Sequence, residues 1–297
     1  MVDIGIVGLD TSHGESFAKR LASHEEATLS AVWDGGSVRD ESYTQSICDQ
    51  YAARQYADPH EMIGDVDGVM ILTVDWETHR PLAIPFLEAG IPTLIDKPIA
   101  GSKEDILAIG QAANETPLFG GSAVPYHSAI TTFEPDCSSR ALYCVGYDDP
   151  FYYGSHLIDT VCQIVDTDWA TVSPANDPGR TVEIVFTDGT YVTVRLDSPG
   201  TKKQFSFLSV GNQTSVVEVG SEPADMDDMY RSYLDAYLEV IETRSTVTGK
   251  RVLDAASLLL GIDAALEYGQ PITPNSRALA EHVVNGDAFL EAYSPYY

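Results

Sequence analysis

The chain has 297 residues, and its 45 Asp and Glu against 17 Lys and Arg give a formal net charge of −28. That balance excludes nucleic acid and anionic membrane surfaces as partners, because phosphates are repelled. No apolar run reaches the roughly 18 residues that span a bilayer, and a hydrophobic fraction of 44% is that of a globular chain with room for two modest cores.

The acids are spread along the whole chain, and lysine is scarce. That pattern reads as a halophilic surface, kept hydrated by carboxylates where salt screening is strong; an ordinary acidic protein is the alternative. The first residues carry acid and no basic n-region, so the chain reads as cytoplasmic. Cys48, Cys137, Cys144 and Cys162 show neither a C-x-x-C pair nor zinc-ligand spacing. They read as reduced thiols, and no metal site is expected.

In chain order, Val2–Val7 reads as a strand, Glu15–Ala22 as a helix, and Thr28–Trp33 as a strand ending at Asp34. Glu41–Arg54 is helical in pattern. Gly68–Thr73 (GVMILT) is an apolar run of the kind buried on both faces. Pro81–Ala89 is a helix closed by Gly90. Pro92–Ile95, Lys103–Ala113 and Pro117–Gly120 continue the alternation. Strand and helix in turn predict a doubly wound parallel sheet over residues 1–121.

Beyond Gly121 the pattern changes. Arg180–Phe186 and Tyr191–Leu196 are β-rich and joined through Asp188-Gly189, a hairpin signal. Phe205–Val210 and Ser215–Val219 suggest a second hairpin. Helical periodicity returns at Asp227–Glu242 and Val252–Tyr268, and the tail Arg277–Tyr297 reads as a short helix ending in YSPYY. Residues 122–297 are therefore expected to form an α+β unit with a mainly antiparallel sheet, which serves substrate binding and homo-oligomer contact.

The first loop, GLDTSH, follows a strand and opens a helix, the setting of a pyrophosphate-binding turn. Gly8 holds the first position of the G-x-G-x-x-G signature, but Asp10 and His13 hold the second and third. Thr11, Ser12 and His13 have donors suited to a phosphate. Asp10 is unfavourable there unless it points away. Capping of the helix is the alternative use of Asp10, Thr11 or Ser12. Asp34, at the end of the second strand, stands where an acid binds the adenosine ribose hydroxyls and favours NAD over NADP; a turn aspartate before Gly35-Gly36 is the alternative.

The stretch from Val66 to Ala100, VDGVMILTVDWETHRPLAIPFLEAGIPTLIDKPIA, resembles the Gfo/Idh/MocA family of NAD(P)-dependent sugar and cyclitol oxidoreductases. Thr73, His79, Ala89-Gly90 and Asp96-Lys97-Pro98 match that family's turn, helix and E-K-P elements in order and spacing, with Asp96 in place of the usual glutamate. The resemblance implies a cis Lys97–Pro98 bond and a Lys97 near the nicotinamide; Thr73, Trp76, His79, Asp96 and Lys97 read as cofactor-binding, with Trp76 stacking on the nicotinamide or adenine or else serving in packing. A lysine at that strand end can hydrogen-bond the reacting oxygen and take its proton.

The segment DDPFYYGSHLIDTVCQIV, Asp148 to Val165, resembles the family's D-x-G-x-H-x-x-D element, with Gly154, His156 and Asp159 in register. His156 begins an apolar helical run and is suited to acid–base work near neutrality. Tyr152 stands where the family carries aspartate; a phenol with a pKa of about 10 donates a hydrogen bond but is a poor base at neutral pH. Gly121-Ser122 and Tyr126-His127 lie where the crossover meets substrate. His24, His60 and His282 read as surface residues.

Lys97, His156 and Tyr152 are thus the catalytic candidates. The expected activity is hydride transfer between NAD and a hydroxyl of a sugar, sugar acid or cyclitol, with NADP less favoured. Two other readings stand beside it: a catalytically silent NAD- or sugar-binding regulator, and an enzyme that retains NAD for net hydrolysis or elimination.

Overall fold

The computed structural model describes residues 1–133, 135, 141–197, 203–220 and 222–294. Cys137 and the end of the YSPYY tail lie outside the described residues. The first half alternates β1 (Val2–Val7), α1 (Ser12–Ala22), β2 (Ala27–Trp33), α2 (Glu41–Tyr51), β3 (Arg54–Gln55), β4 (Gly68–Ile71), α3 (His79–Glu88), β5 (Thr93–Asp96), α4 (Lys103–Ala112) and β6 (Leu118–Gly121). The strands make one parallel sheet in the order β3-β2-β1-β4-β5-β6. β4, β5 and β6 are buried at every position, as their apolar runs require of a sheet covered on both faces. Thr11, Asp40 and Ser102 cap α1, α2 and α4 by accepting backbone N–H bonds.

The second half holds α5 (Ser128–Thr131), β7 (Ala141–Val145), α6 (Gly154–Val165), β8 (Trp169–Pro174), β9 (Thr181–Phe186), β10 (Tyr191–Arg195), β11 (Phe205–Val210) and β12 (Thr214–Val219). Then come α7 (Pro223–Thr243), α8 (Val247–Tyr268), α9 (Arg277–Glu281) and α10 (Gly286–Ala292). Its sheet runs β12-β11-β7-β10-β9-β8 and is antiparallel except between β7 and β10.

Helix α7 locks the halves together. The Tyr237 hydroxyl is shared between the Val69 and Pro92 carbonyls, and the Tyr233 hydroxyl donates to Gly121 O. Gly68 is needed beneath it, since a Cβ there would sit 2.5 Å from Ile241 Cδ1 and 2.8 Å from the Tyr237 hydroxyl.

Sequence periodicity misplaced several details. The α2 pattern was expected to run to Arg54, but the chain leaves the helix at Ala52, whose φ is +56°, and Arg54–Gln55 pairs as an edge strand. β7 and β8 were not anticipated; the run of β7 is short and its partners lie far along the chain. The tail forms two helices, not one. His282 is buried, not at the surface: its ring bonds Asp263 (2.9 Å) and the Tyr268 hydroxyl (3.1 Å). Cys48, Cys144 and Cys162 are buried free thiols. Among the described residues no helix is long and apolar enough to cross a membrane.

Candidate active site

The glycine loop is built by close approaches. Gly8 has φ +91°, and a Cβ on it would lie 2.6 Å from Thr73 Cγ2 and 2.8 Å from Thr73 N. Only glycine fits where the end of β1 crosses the end of β4. Gly14 packs on Leu9, where a Cβ would meet Cδ2 at 3.0 Å and Cα at 3.3 Å. Close helix–strand packing is the role of the third signature glycine. The structure gives it to Gly14, so the turn is one residue longer than the spacing rule that singled out His13. Gly14 is a loop position that sequence reasoning missed.

Asp10 points away from the face where a phosphate would sit. Its Oδ2 accepts from Val74 N at 2.9 Å, at the end of β4. Burial raises its carboxyl to about 6, against the opposing effect of that hydrogen bond. Thr11 accepts from His13 N, and Thr11 and Ser12 line the cavity described below. Asp34 Oδ1 accepts from Leu9 N (2.8 Å) and Oδ2 from Gly36 N (3.1 Å), which fixes the end of β2 beside the loop.

Other sequence candidates are tied into the surrounding structure. His79 is fully buried and its ring nitrogens lie 3.1 Å from Ile99 O and 3.0 Å from Thr73 O. It ties the turn after β4 to the segment after Lys97. The Thr73 hydroxyl bonds that of Thr78 at 2.6 Å. Trp76 is buried, donates Nε1–H to Val284 O (2.7 Å), and packs on Phe151 and on Phe289 of α10.

Lys97, His13, His156, Tyr152 and Tyr153 come together around a cavity of about 390 Å³, with Thr11 and Ser12 at the α1 N-terminus opening into it. Larger clefts of about 910 and 800 Å³ lie elsewhere and are more open. In the cleft of about 910 Å³, Lys250 is bound between Asp168 and Asp254. Of the three, the 390 Å³ cavity is the least open and is lined by the buried Lys97.

Lys97 is 5% exposed. Burial pushes its ammonium down to about 7, against the pull of the Asp96 and Asp149 carboxylates. Its Nζ stands 3.1 Å from the centroid of the Tyr152 ring, which stacks on Phe289 at 4.4 Å. Tyr152 therefore offers the lysine a ring face, not a carboxylate. The Lys97–Pro98 bond is cis, as the resemblance implies.

Asp96 accepts from Lys97 N at 2.8 Å through Oδ1 and meets His13 Nδ1 at 2.6 Å through Oδ2. Burial opposes its charge, yet the His13 ring and the Lys97 ammonium hold its carboxyl at about 2. His13 Nε2 lies 3.0 Å from the Tyr230 hydroxyl of α7. His156, in the first turn of α6, has Nδ1 2.7 Å from Ser122 Oγ. Burial, with the nearby charges of Lys97 and His13, pushes its pKa well below the usual histidine value. Asp159 accepts from Ser122 N at 2.7 Å and is paired with Arg251 of α8. Ser122 and Arg251 support the site through bonds that sequence spacing could not reveal.

Residues 2–119 match the family model described as oxidoreductase family, NAD-binding Rossmann fold. Inositol 2-dehydrogenase 1 of Saccharopolyspora erythraea is 32% identical over 110 residues, 36% of this chain and 32% of its own length. The chain thus spans about a third of that curated relative. Among solved structures, a probable dehydrogenase from Thermotoga maritima superposes with TM-score 0.74 at 17% identity, covering 92% of this chain and 99% of the other. The scyllo-inositol dehydrogenase from Lactobacillus casei with bound NAD(H) and scyllo-inositol gives 0.73 at 16%, over 93% and 100%. These likenesses extend the shared fold over both halves. Residues 2–119 are thus similar in sequence to the NAD-binding Rossmann domain of the Gfo/Idh/MocA oxidoreductase family.

Proposed function

We propose that the protein is an NAD-dependent dehydrogenase acting on a hydroxyl of a cyclitol, sugar or sugar acid. The observation that carries this reading is Lys97: a buried amine brought down to about 7, at the end of β5, facing the cavity into which the α1 N-terminus opens. Residues 1–121 hold the dinucleotide and residues 122–297 the substrate.

The loop fits a pyrophosphate on two counts. Gly8 and Gly14 bring the backbone close, and Asp10 is turned to Val74, which leaves Thr11, Ser12 and the helix N-terminus to the phosphates. Asp34 receives the ribose hydroxyls and disfavours a 2′-phosphate. When bound, NAD supplies the hydride acceptor. Lys97, close to half neutral at pH 7, takes the hydroxyl proton: the O–H bond breaks and an N–H bond forms at Nζ. His156 lies beside the reacting oxygen, and Tyr152 and Tyr153 wall the substrate.

The enzyme works in the cytoplasm of a halophile, and its −28 charge needs salt for screening. Exposed Tyr143, Val145, Val185, Val210 and Val216 lie on strands of the second sheet and supply an apolar surface for pairing with a second copy. Thermal unfolding with NAD, NADP and a polyol panel, in KCl from dilute to molar, tests the reading. NAD and one polyol should raise the midpoint, NAD should be reduced, and the apoprotein should gain stability with salt. Absence of NAD binding at every salt concentration would refute the assignment.

A further inference from the structure

We propose that His156 acts as a neutral hydrogen-bond donor to the reacting oxygen through Nε2–H, and that Ser122 is the positioning residue that fixes this tautomer. The inference rests on the dehydrogenase reading of the same cavity.

The argument begins with one proton. Ser122 is fully buried. Its Oγ accepts from Val124 N at 2.9 Å and lies 2.7 Å from His156 Nδ1. A hydroxyl has a single proton, and a buried O–H needs an acceptor. Among the described residues the one acceptor within reach of that proton is His156 Nδ1. The ring must therefore carry its lone pair on Nδ1 and its proton on Nε2.

The surroundings hold that form against protonation. His156 sits in the first turn of α6, at the positive end of the helix dipole. The rings of Tyr153 and Phe205 stand 6.0 and 5.7 Å from its own. Lys97 and His13 add repulsion, and Asp96 opposes it only in part. A neutral imidazole that polarises a carbonyl is an established solution in enzymes. His13 contrasts with it: its Nδ1 faces the Asp96 carboxylate and so carries a proton.

The consequence for the reaction is a division of labour. The substrate O–H bond breaks and its proton passes to Lys97 Nζ. NAD, when bound, would accept the carbinol hydride as the C=O bond forms. His156 gains and loses no proton; it stabilises negative charge on the oxygen throughout. The rate profile should then show one ionisation, that of Lys97.

Nitrogen-15 NMR of histidine-labelled protein, assigned with His156→Gln, reads the tautomer directly. Nδ1 should appear unprotonated and Nε2 protonated from about pH 5.5 to 8.5. His156→Ala should lower kcat by about 10²–10³-fold, the usual loss of one such donor. His156→Gln keeps an N–H donor but cannot accept a proton at neutral pH, and should stay within about tenfold of wild type. Ser122→Ala should free the ring to titrate and add a second limb to the kcat–pH profile, and Ser122→Thr should remove that limb. An Nδ1–H ring in the wild type, a His156 titration near neutrality, or a His156→Gln enzyme as slow as His156→Ala would overturn the proposal while leaving the dehydrogenase reading in place. A wild type that reduces NAD with no polyol refutes both.

Discussion

The two halves of the chain each bring one histidine to the same cavity, and they anchor it differently. His13, from the glycine loop, leans on the Asp96 carboxylate; His156, from α6, leans on the Ser122 hydroxyl. A carboxylate demands a proton on Nδ1 and stabilises the imidazolium. A buried hydroxyl that already accepts a backbone N–H demands the reverse. The ring is the same in both halves, so the partner of its Nδ1 decides whether it suits a cationic or a neutral role. Lys97 follows Asp96 directly, and its charge acts on the His156 ring.

The sharpest way to break this comparison is to remove that lysine. Lys97→Ala should cut turnover by about 10²–10⁴-fold, the size of a general acid–base effect. NAD affinity should change little, because the proposed pyrophosphate site is the N-terminus of α1 and not Lys97. Steady-state rates and NAD binding, measured separately, check this. Full turnover in both Lys97→Ala and His156→Ala would leave neither half with a catalytic role.

A second substitution disturbs one half alone. Gly8→Ala puts a side chain at φ +91° and 2.8 Å from a backbone nitrogen that has no room to yield. Strain of this kind costs about 1–3 kcal/mol, so the unfolding midpoint should fall. The His13 resonances should move with the loop while those of His156 stay. Joint movement would mean that the two anchors are not independent.

Asp96→Asn tests the charge that separates the histidines. Lys97 must be neutral to accept a proton, so the rate rises with pH through its pKa, about 7. The Asp96 carboxylate favours the ammonium. Its removal lowers the Lys97 pKa, and the acid limb of the profile should move to lower pH by about one unit or more. The His13 ring should lose its fixed tautomer in the same variant. A limb that moves to higher pH would show that Asp96 does not support the lysine's charge.

Much of the parallel half was legible because its strands are continuous apolar runs and its helices carry caps within a few residues. The second sheet was legible at β9, β10, β11 and β12, where alternation and turn residues are local. β7 and β8 were not, because the pairing that defines them joins distant segments. The site divides in the same way. Lys97, Asp96 and His156 stood out by motif. Ser122 was flagged only by its place at the crossover, since its hydrogen bond reaches 34 residues along the chain, and the Tyr230 contact with His13 spans 217. The third glycine was misread because the rule counts residues, whereas packing on Leu9 is met one residue later, at Gly14.

The smallest expected effect comes from Asp34, and it needs two variants to interpret. One carboxylate oxygen receives Leu9 N and the other Gly36 N, so the side chain shapes the loop, and the proposed function gives it the adenosine ribose as well. Asp34→Ala should weaken NAD by about tenfold, the loss of a hydrogen bond to a charged group, and should narrow the preference over NADP. A looser loop alone would weaken both dinucleotides equally. Asp34→Asn separates the causes, because its amide oxygen can still accept from Leu9 N while the charge is gone. If charge sets the choice, Asp34→Asn keeps most of its NAD affinity and binds NADP better than wild type does. A wild type that already prefers NADP would remove Asp34 from the cofactor site and leave it as the anchor of the glycine loop.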